Sequence, residues 1–443
     1  MELRRIGLLL LFGSGAACAL LFDTTQFSGA SDTSSDAPFD VSDGAVGCDA
    51  PAPNPQYLRA TSVAVGMNAT CASRPDGSVV CWGPNAADVL GLGNDSSVES
   101  DRPVVVAGLS KITHVYAGQD DFCAVDQTGI AWCWGSASTF ALGSDSGGFP
   151  PAPVVDKSGN PIHVTELALG GDFGCAILTS NQLACWGENS ERILGDAGFF
   201  LHYAVSLPPT GLIEHIAAGN HHVCMMKRDK ASDPSNVFCW GNNDYDQLGV
   251  TSFDGGNTSD PQQFVMPYPA LAVSASAQAT VVLDVNHDVY GGGYDSFGQL
   301  GSITNGTNVA PPKGVDGMPK GSNTSIAAGS QVTCAVQTNG TALCIGHDAT
   351  GRDPSNALVP EPIADVGDGA AFADAGGDAG VLTGIAEVAL PAFATAYRGG
   401  CALVKDIACA PDGYVVCWGT KVGDGQPSEG PNIRQQPVRV VAP

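Results

Sequence analysis

Basic residues are scarce in this chain, which has 19 Lys and Arg against 45 Asp and Glu and a formal net charge of −26. Binding to nucleic acid depends on Lys and Arg that neutralise phosphates. The composition therefore excludes nucleic acid or another polyanion as the expected partner. An acidic surface of this kind favours solubility or a basic partner.

Apolar runs and catalytic signatures are also lacking. Beyond the N-terminus, no segment approaches the ~20 apolar residues that a membrane-spanning helix needs. The sequence has no Gly-x-Ser-x-Gly, His-Glu-x-x-His or phosphate-loop motif, and its cysteines do not have zinc-site spacing. His221 and His222 are adjacent on a predicted strand and therefore point to opposite faces. We predict no catalytic residue, no metal and no cofactor.

A repeated tripeptide, Cys-Trp-Gly, is the most informative feature that is present. Five copies occur, and residues 291–293 and 344–346 are degenerate copies. The seven upstream positions, six of them cysteines, are spaced by roughly 50 to 70 residues, which predicts a propeller, solenoid or array. The complete copies begin at Cys81, Cys133, Cys185, Cys239 and Cys417. We predict that their Trp residues form the core between repeats.

Each cysteine-to-cysteine segment is typical of a β-hairpin, because a loop ending in glycine divides it, as in residues 74–77. Such a loop suits a type I turn followed by a left-handed glycine. An apolar strand ending in Ala-Gly precedes the hairpin. A Pro-led strand such as residues 102–106 follows and suits an exposed edge, because Pro cannot donate to a ladder. The pattern predicts an all-β fold, a closed seven-bladed β-propeller of four-stranded blades.

The order Ala-Gly-x-x-x-x-Cys-Ala, Cys-Trp-Gly-x-Asn and Gln-Leu-Gly resembles the repeat of the regulator-of-chromosome-condensation family, and residues 239–249 are the best copy. The resemblance covers roughly residues 58–443 and implies a seven-bladed propeller. The sixth copy departs most, with Ile345 in place of Trp and Thr350-Gly351 in place of Leu-Gly. No Trp is followed by Asp, which disfavours the rival WD-repeat propeller.

The N-terminus predicts export. Residues 1–22 contain two Arg, an apolar run and small residues before Cys18, as in a bacterial lipoprotein signal lipidated at that cysteine. Plain cleavage and an uncleaved anchor are the alternatives. Residues 23–57, rich in Ser, Asp, Thr, Ala and Pro, predict a disordered tether. The propeller is predicted over 58–443, with residues 363–383 as a low-complexity insertion loop.

Twelve of the 15 cysteines form the repeat pairs, and hairpin register places the members of each pair opposite one another. The fifth repeat loses both cysteines together, at Val281 and Gly291, which favours disulfides over reduced thiols. Six disulfides predict an oxidising compartment, hence the cell envelope or the exterior. Cys409 is an alternative partner for Cys417 or for Cys48. The predicted pairs are Cys71–Cys81, Cys123–Cys133, Cys175–Cys185, Cys224–Cys239, Cys334–Cys344 and Cys401–Cys417.

The turns before the upstream cysteines are predicted to lie on one face, and their residues differ between repeats, which is typical of binding loops on a rigid scaffold. The predicted function is a non-enzymatic, exported monomer that binds a protein or glycan through this face. The alternatives are an envelope lyase or hydrolase at the channel mouth, and a guanine-nucleotide exchange factor by family resemblance. The candidate binding residues are Asn68, Asp120, Asp121, Asp172, Phe173, Asn220, His221, Gln278, Gln331 and Arg398.

Overall fold

The structure is a computed structural model that describes residues 57–442 with several gaps. These gaps are residues 94–98, 137–140, 145–147, 196–199, 208–210, 252–255, 302–307, 348–355, 364–380, 394–398, 406–412 and 420–433. The predicted signal and tether, Cys18, Cys48, Cys409, Arg398 and most of the 363–383 insertion lie outside the described residues.

Within the described residues, twenty-nine strands form seven antiparallel sheets, which are the blades of a closed ring. The first strand, β1 (Arg59–Ala60), belongs to the last blade. Blades 1 to 3 follow, with a 3₁₀ turn at Ala86–Asp88. Their strands are β2 (Ser62–Val65), β3 (Thr70–Ser73), β4 (Val79–Gly83) and β5 (Ser100–Val105); β6 (Ile112–Ala117), β7 (Asp121–Asp126), β8 (Ala131–Gly135) and β9 (Ala152–Pro153); β10 (Val164–Leu169), β11 (Phe173–Leu178), β12 (Leu183–Glu188) and β13 (Phe200–Leu207).

Blades 4 to 7 repeat the same order, in which consecutive strands pair from the inner edge of the blade to its outer edge. Their strands are β14 (Leu212–Ala218), β15 (His222–Arg228), β16 (Asn236–Asn242) and β17 (Asn257–Gln263); β18 (Ala270–Ala275), β19 (Ala279–Asp284), β20 (Val289–Gly293) and β21 (Val309–Gly314); β22 (Asn323–Ala328), β23 (Val332–Gln337), β24 (Ala342–His347) and β25 (Asn356–Pro362); β26 (Ile385–Ala389), β27 (Gly399–Val404), β28 (Gly413–Gly419) and β29 (Arg434–Arg439).

The first strands of the blades form the inner wall of the ring, because each contacts the first strand of its neighbours. The outermost strands of every blade except blade 3 contain proline, in agreement with their edge position. The residues that flank the insertion between β25 and β26 are adjacent, because the Leu382 backbone N–H donates to the Ile363 carbonyl at 2.9 Å.

The two ends of the propeller meet in blade 7, as predicted. Strand β1 and strand β29 both pair with β28, at different positions along it. The Leu58 N–H donates to the Val440 carbonyl at 2.8 Å, and the Val415 N–H donates to the Leu58 carbonyl at 3.3 Å. Hydrogen bonds between the chain ends therefore close the ring.

The apolar core consists of seven clusters, each between two neighbouring blades. The predicted inter-blade role of Trp is confirmed, because all five repeat Trp side chains are at most 2% exposed. In blade 3, the Trp186 indole N–H donates to the Ala141 carbonyl of blade 2 at 2.7 Å, and Trp134 and Trp240 bond in the same way to Val89 and Ile193. Each of these indoles thus packs on one blade and is hydrogen-bonded to the preceding one.

The glycine of Cys-Trp-Gly is required by the backbone. Gly187 has φ of +102°, and a β-carbon there would lie 2.5 Å from the Asp172 carbonyl oxygen. The equivalent Gly293, where the Trp is lost, has φ of +117° and a β-carbon would lie 2.4 Å from the Gln278 carbonyl. Only glycine adopts this conformation without strain, so it persists in the degenerate fifth copy.

All six predicted disulfides are present, and each joins cysteines that are direct partners in the hairpin register, with Cα atoms 4.1 Å apart. Blade 5 has the same register without the bond, with Val281 opposite Gly291. Disulfides are typical of oxidising compartments. No helix among the described residues is long and apolar enough to cross a membrane.

Candidate functional site

The turns that follow the innermost strands lie together on one face, and one backbone hydrogen bond fixes the turn in blades 2 to 6. In blade 2, the Asp120 carbonyl accepts from the N–H of Ser136, the residue after Cys-Trp-Gly, at 2.8 Å. The turns thus share a backbone and differ in side chains. The corresponding carbonyls belong to Asp172, His221, Gln278 and Gln331, and the donors are Glu188, Asn242, Tyr294 and His347.

The turns are tighter than the sequence predicted, and two candidate residues change status. The Gly118 N–H donates to the Asp121 carbonyl at 2.9 Å, so the second strand begins at Asp121 rather than at the cysteine. Asp121 and Phe173 are therefore strand residues, and each is only 1% exposed. The expectation that both are exposed turn residues is wrong.

Side chains and backbone join the turns of blades 1 and 2. The Asn68 amide donates to the Asp120 carboxylate at 2.9 Å, and the Met67 N–H donates to the Gln119 carbonyl at 3.2 Å. Blades 3 and 4 are joined by the Gly171 N–H, which donates to the Asn220 carbonyl at 2.9 Å. We call the five candidate residues of these four turns the turn arc: Asn68, Asp120, Asp172, Asn220 and His221, all half-buried.

The middle of the turn arc is acidic. Burial raises the pKa of Asp172, and the charges of Glu188 and Asp120 raise it further, whereas His221 acts in the opposite direction. The carboxyl groups of blades 2 and 3 are thus close enough to repel one another when both are ionised. This repulsion makes a positive charge favourable at this position.

Asp121 lies beside the turn arc as a buried acid. Neither carboxyl oxygen has a hydrogen-bond partner. Burial raises its pKa well above its usual range, and the charges of Asp120 and Asp172 add to the effect. Asp121 therefore holds its proton more tightly than an ordinary aspartate does.

The other half of the same face is occupied by the chain itself. Residues 390–393, which follow the inner strand of blade 7, pass over the turns of blades 6 and 5. The Ser330 N–H of blade 6 donates to the Pro391 carbonyl at 3.1 Å, and the Ala277 N–H of blade 5 donates to the Ala392 carbonyl at 2.8 Å. The candidates Gln278 and Gln331 follow Ala277 and Ser330 directly and are half-buried, so they lie beside this crossing segment.

His221 and His222 divide as predicted, with His221 half-buried and His222 fully enclosed. Thr280 donates its hydroxyl hydrogen to the Gln247 carbonyl at 2.8 Å, so Nε2 of His222 donates to the Thr280 oxygen at 2.9 Å. Burial, with a smaller contribution from His221, lowers the pKa of His222 to about 3. His222 is consequently a neutral residue that joins blades 4 and 5.

A second group of titratable residues, which the sequence did not reveal, lies on the inner wall of the ring. In four blades the residue just after a β-bulge in the innermost strand is ionisable: His114, Glu166, His215 and Glu387. His215 Nδ1 donates to Glu166 Oε2 at 3.1 Å, and this bond raises the pKa of His215. Desolvation raises the pKa of Glu387 to about 7, against a smaller opposing effect of Lys405.

No group of three or more metal-ligating side chains is found in the described part of the chain. The site is thus a surface of carboxyl, amide and imidazole groups, supported by a rigid backbone.

Comparison with known protein families supports the repeat found in the sequence. Two models of the regulator of chromosome condensation (RCC1) repeat match residues 76–125 and 235–283, and residues 213–247. The segment 213–247 includes the whole hairpin of blade 4, and the segment 76–125 includes the Cys-Trp-Gly strand of blade 1. The chain carries RCC1 repeats.

The related RCC1-repeat proteins belong to different functional classes. The human E3 ubiquitin-protein ligase HERC2 is 25% identical over 286 residues, 62% of this chain but 6% of the ligase. The ultraviolet-B receptor UVR8 of Arabidopsis thaliana is 24% identical over 279 residues, 60% of this chain and 60% of the receptor. The chain thus spans less than two thirds of either protein.

A solved RCC1-type structure supports the fold. Prp20p of Saccharomyces cerevisiae superposes with a TM-score of 0.56 at 21% identity, over 69% of this chain and 76% of Prp20p. A likeness at this identity establishes the propeller architecture only.

Proposed function

We propose that this RCC1-repeat protein is an exported, non-enzymatic scaffold that binds a protein partner through the turn arc of blades 1 to 4. The observation that carries the proposal is that four adjacent turns are each closed by a glycine N–H donating to the carbonyl three residues later, but present different polar side chains. Hydrogen bonds join the turns of blades 1 and 2 and the turns of blades 3 and 4. Binding residues are disproportionately found on loops held by a rigid scaffold. The turns of blades 5 and 6 are instead bonded through their backbone to the crossing segment.

Two further observations support the proposal. The structure of Prp20p was described together with its binding to Gsp1p and histones, so a protein of this architecture binds other proteins. The six disulfides and the predicted N-terminal signal support export. An exported protein would not meet a nuclear GTPase, which disfavours the exchange-factor alternative.

The experiment is capture from an envelope extract of the source cell with the full chain as bait. The test variant is Asp120→Ala with Asp172→Ala. The matched control is Gln278→Ala with Gln331→Ala, which changes two turns on the other half of the face. We expect the test variant to lose a partner that wild type and control retain, measured by quantitative mass spectrometry. Equal capture by all three proteins would contradict the proposal.

An acid–base enzyme is the second candidate, because three carboxyl groups converge at Asp120, Asp121 and Asp172 and the pKa values of two are raised. Its test uses the same proteins. Incubation of the extract with wild type, but not with the Asp120→Ala, Asp172→Ala variant, would release a cleaved product.

A further inference from the structure

We propose that the turn arc receives a Lys or Arg side chain of the partner, seated between Asp120 of blade 2 and Asp172 of blade 3 and next to Asp121. This inference rests on the proposed function and specifies the chemistry of the partner. We call the three carboxyl groups the acidic notch.

The position of Asp121 in the repeat shows that its carboxyl group is not a requirement of the propeller. The residue paired with the glycine of Cys-Trp-Gly is Asp121 in blade 2, whereas it is Phe173 in blade 3 and His222 in blade 4. Blades 5 and 6 have Ala279 and Val332 there. The equivalent positions thus hold an apolar side chain or a neutral histidine that is hydrogen-bonded through Nε2 and has no partner at Nδ1.

Burial of Asp121 is unfavourable in the unbound protein. A buried carboxyl group without a hydrogen-bond partner loses its hydration without compensation. Both oxygens of Asp121 are in this state. Unsatisfied buried groups of this kind are exceptional in folded proteins and are often associated with function.

Asp120 and Asp172 are held in place for a ligand. Asp120 is fixed through its carbonyl by Ser136 and through Oδ1 by Asn68 at 2.9 Å. Asp172 is fixed through its carbonyl by the Glu188 N–H at 2.8 Å. In the described part of the chain, neither Lys nor Arg forms an ion pair with any of the three carboxyl groups.

The charge of the whole chain favours the same class of partner. A net charge of −26 attracts cationic segments at long range and increases their association rate. The acidic notch would then supply short-range specificity, since charge complementarity fixes register and rejects like-charged surfaces.

The first experiment measures binding of fluorescein-labelled hexalysine to the full chain by fluorescence anisotropy at ~150 mM salt. The test variant is Asp120→Asn with Asp172→Asn. The control, Asp260→Asn with Asp316→Asn, removes the same charge from exposed sites outside the turn arc. We expect the test variant to bind at least about tenfold more weakly and the control less than about twofold. Equal losses would show non-specific attraction, and no loss would place binding elsewhere; either outcome overturns the proposal.

The second experiment tests Asp121 by calorimetry of hexalysine binding in two buffers with different ionisation enthalpies. A cation in the notch favours the ionised carboxylate, so wild type should release more protons on binding than Asp121→Asn, in which Asp172 is the remaining notch carboxyl group with a raised pKa. Equal proton release by the two proteins would remove Asp121 from the site. Thermal unfolding of both proteins shows whether the variant is folded.

These results separate the inference from the proposed function. If the extract partner depends on the turn arc but hexalysine does not bind there, the cationic chemistry is wrong and the surface is right. If hexalysine binds at the notch but capture from the extract is independent of it, the proposed function is wrong.

Discussion

Blades 3 and 5 have the same hairpin register but different interiors. Blade 3 has the Cys175–Cys185 disulfide and Trp186, whose indole lies on Gly174. Blade 5 has Val281 opposite a glycine and no Trp at all. The propeller therefore tolerates the loss of both features of the repeat in one blade.

The space left by the missing Trp is filled from the neighbouring blade. A β-carbon on Gly292, at the Trp position of blade 5, would lie 3.0 Å from the ring of Phe264, which follows the outer strand of blade 4. Phe264 is 2% exposed. The inter-blade interface thus requires a large aromatic side chain, which different strands can supply. The disulfide is a separate source of stability.

Removal of the aromatic side chain that fills the inter-blade interface should lower stability the most, both at blade 3 and at blade 5. Trp186→Ala and Phe264→Ala should each lower the free energy of unfolding by about 3–5 kcal/mol, as for other buried aromatic residues. Urea unfolding measures the change, and far-UV circular dichroism is the control for a folded state. A cost below about 1 kcal/mol for Phe264→Ala would show that Phe264 does not substitute for the Trp.

Replacement of the cysteine pair of blade 3 by the Val and Gly found in blade 5 should have the next largest effect on stability. Cys175→Val with Cys185→Gly removes one disulfide across a separation of 10 residues. The loss should be about 2–3 kcal/mol, mainly through the unfolded state. A reducing agent should remove this difference between wild type and variant. A difference that persists after reduction would mean that packing, not the bond, accounts for it.

Acid titration of the inner wall should give a smaller, pH-dependent effect. Desolvation by the surrounding inner wall raises the pKa of Glu387 from 4.5 to about 7 although the side chain is exposed, so the folded state holds this proton more tightly than the unfolded state. Its contribution to stability is therefore fully present below pH ~4.5 and is lost as pH rises through ~7. Water in the channel reaches the side chain, which reduces the expected effect to about 1 kcal/mol.

The measurement compares Glu387→Gln with wild type by urea unfolding at pH 4.5 and pH 8. The variant should gain about 1 kcal/mol relative to wild type at the higher pH. The pKa of His215 is also raised, so its contribution to stability is also lost as pH rises. Because His215 is present in both proteins, this loss cancels in the comparison. Parallel stability curves at the two pH values would rule out the assigned role of Glu387.

Neutralisation of the turn arc should have the smallest effect on stability. Asp120→Asn and Asp172→Asn should each change the free energy of unfolding by no more than about 0.5 kcal/mol, because half-exposed surface changes are usually in this range. Phe173→Ala, at a position that the sequence assigned to the binding turns, belongs instead with Trp186→Ala because its ring is enclosed. A large loss for the Asp variants would mark the turns as structural.

The sequence predicted what the repeat itself encodes. The paired cysteines, the Trp between blades, the left-handed glycines of the hairpins and the closing of the ring by its two ends all follow from features that recur at fixed spacing. The loop glycines Gly77, Gly129 and Gly340 have φ between +77° and +84°, as the turn type requires. Local rules were sufficient at these positions because each repeat copies the same contacts.

Features that break the repeat were not predictable. Asp121 and Phe173 were assigned to turns, but a hydrogen bond from the preceding glycine starts the second strand at each of them. The sequence does not show where this hydrogen bond ends. Residues 390–393 have no counterpart in other blades. On the inner wall, a bulge shifts the alternation of each strand by one residue, so Glu166 and Glu387 face a direction that simple alternation does not give.

Closure of the ring at blade 7 determines how the propeller would respond to force. Strand β1 contributes only Arg59 and Ala60 to the ladder with β28, next to the Leu58–Val440 bond. A pull on the chain before residue 57 would load these few bonds first and would reach the six disulfide-linked hairpins only afterwards. The closure is thus the mechanical weak point of a protein whose individual blades resist extension.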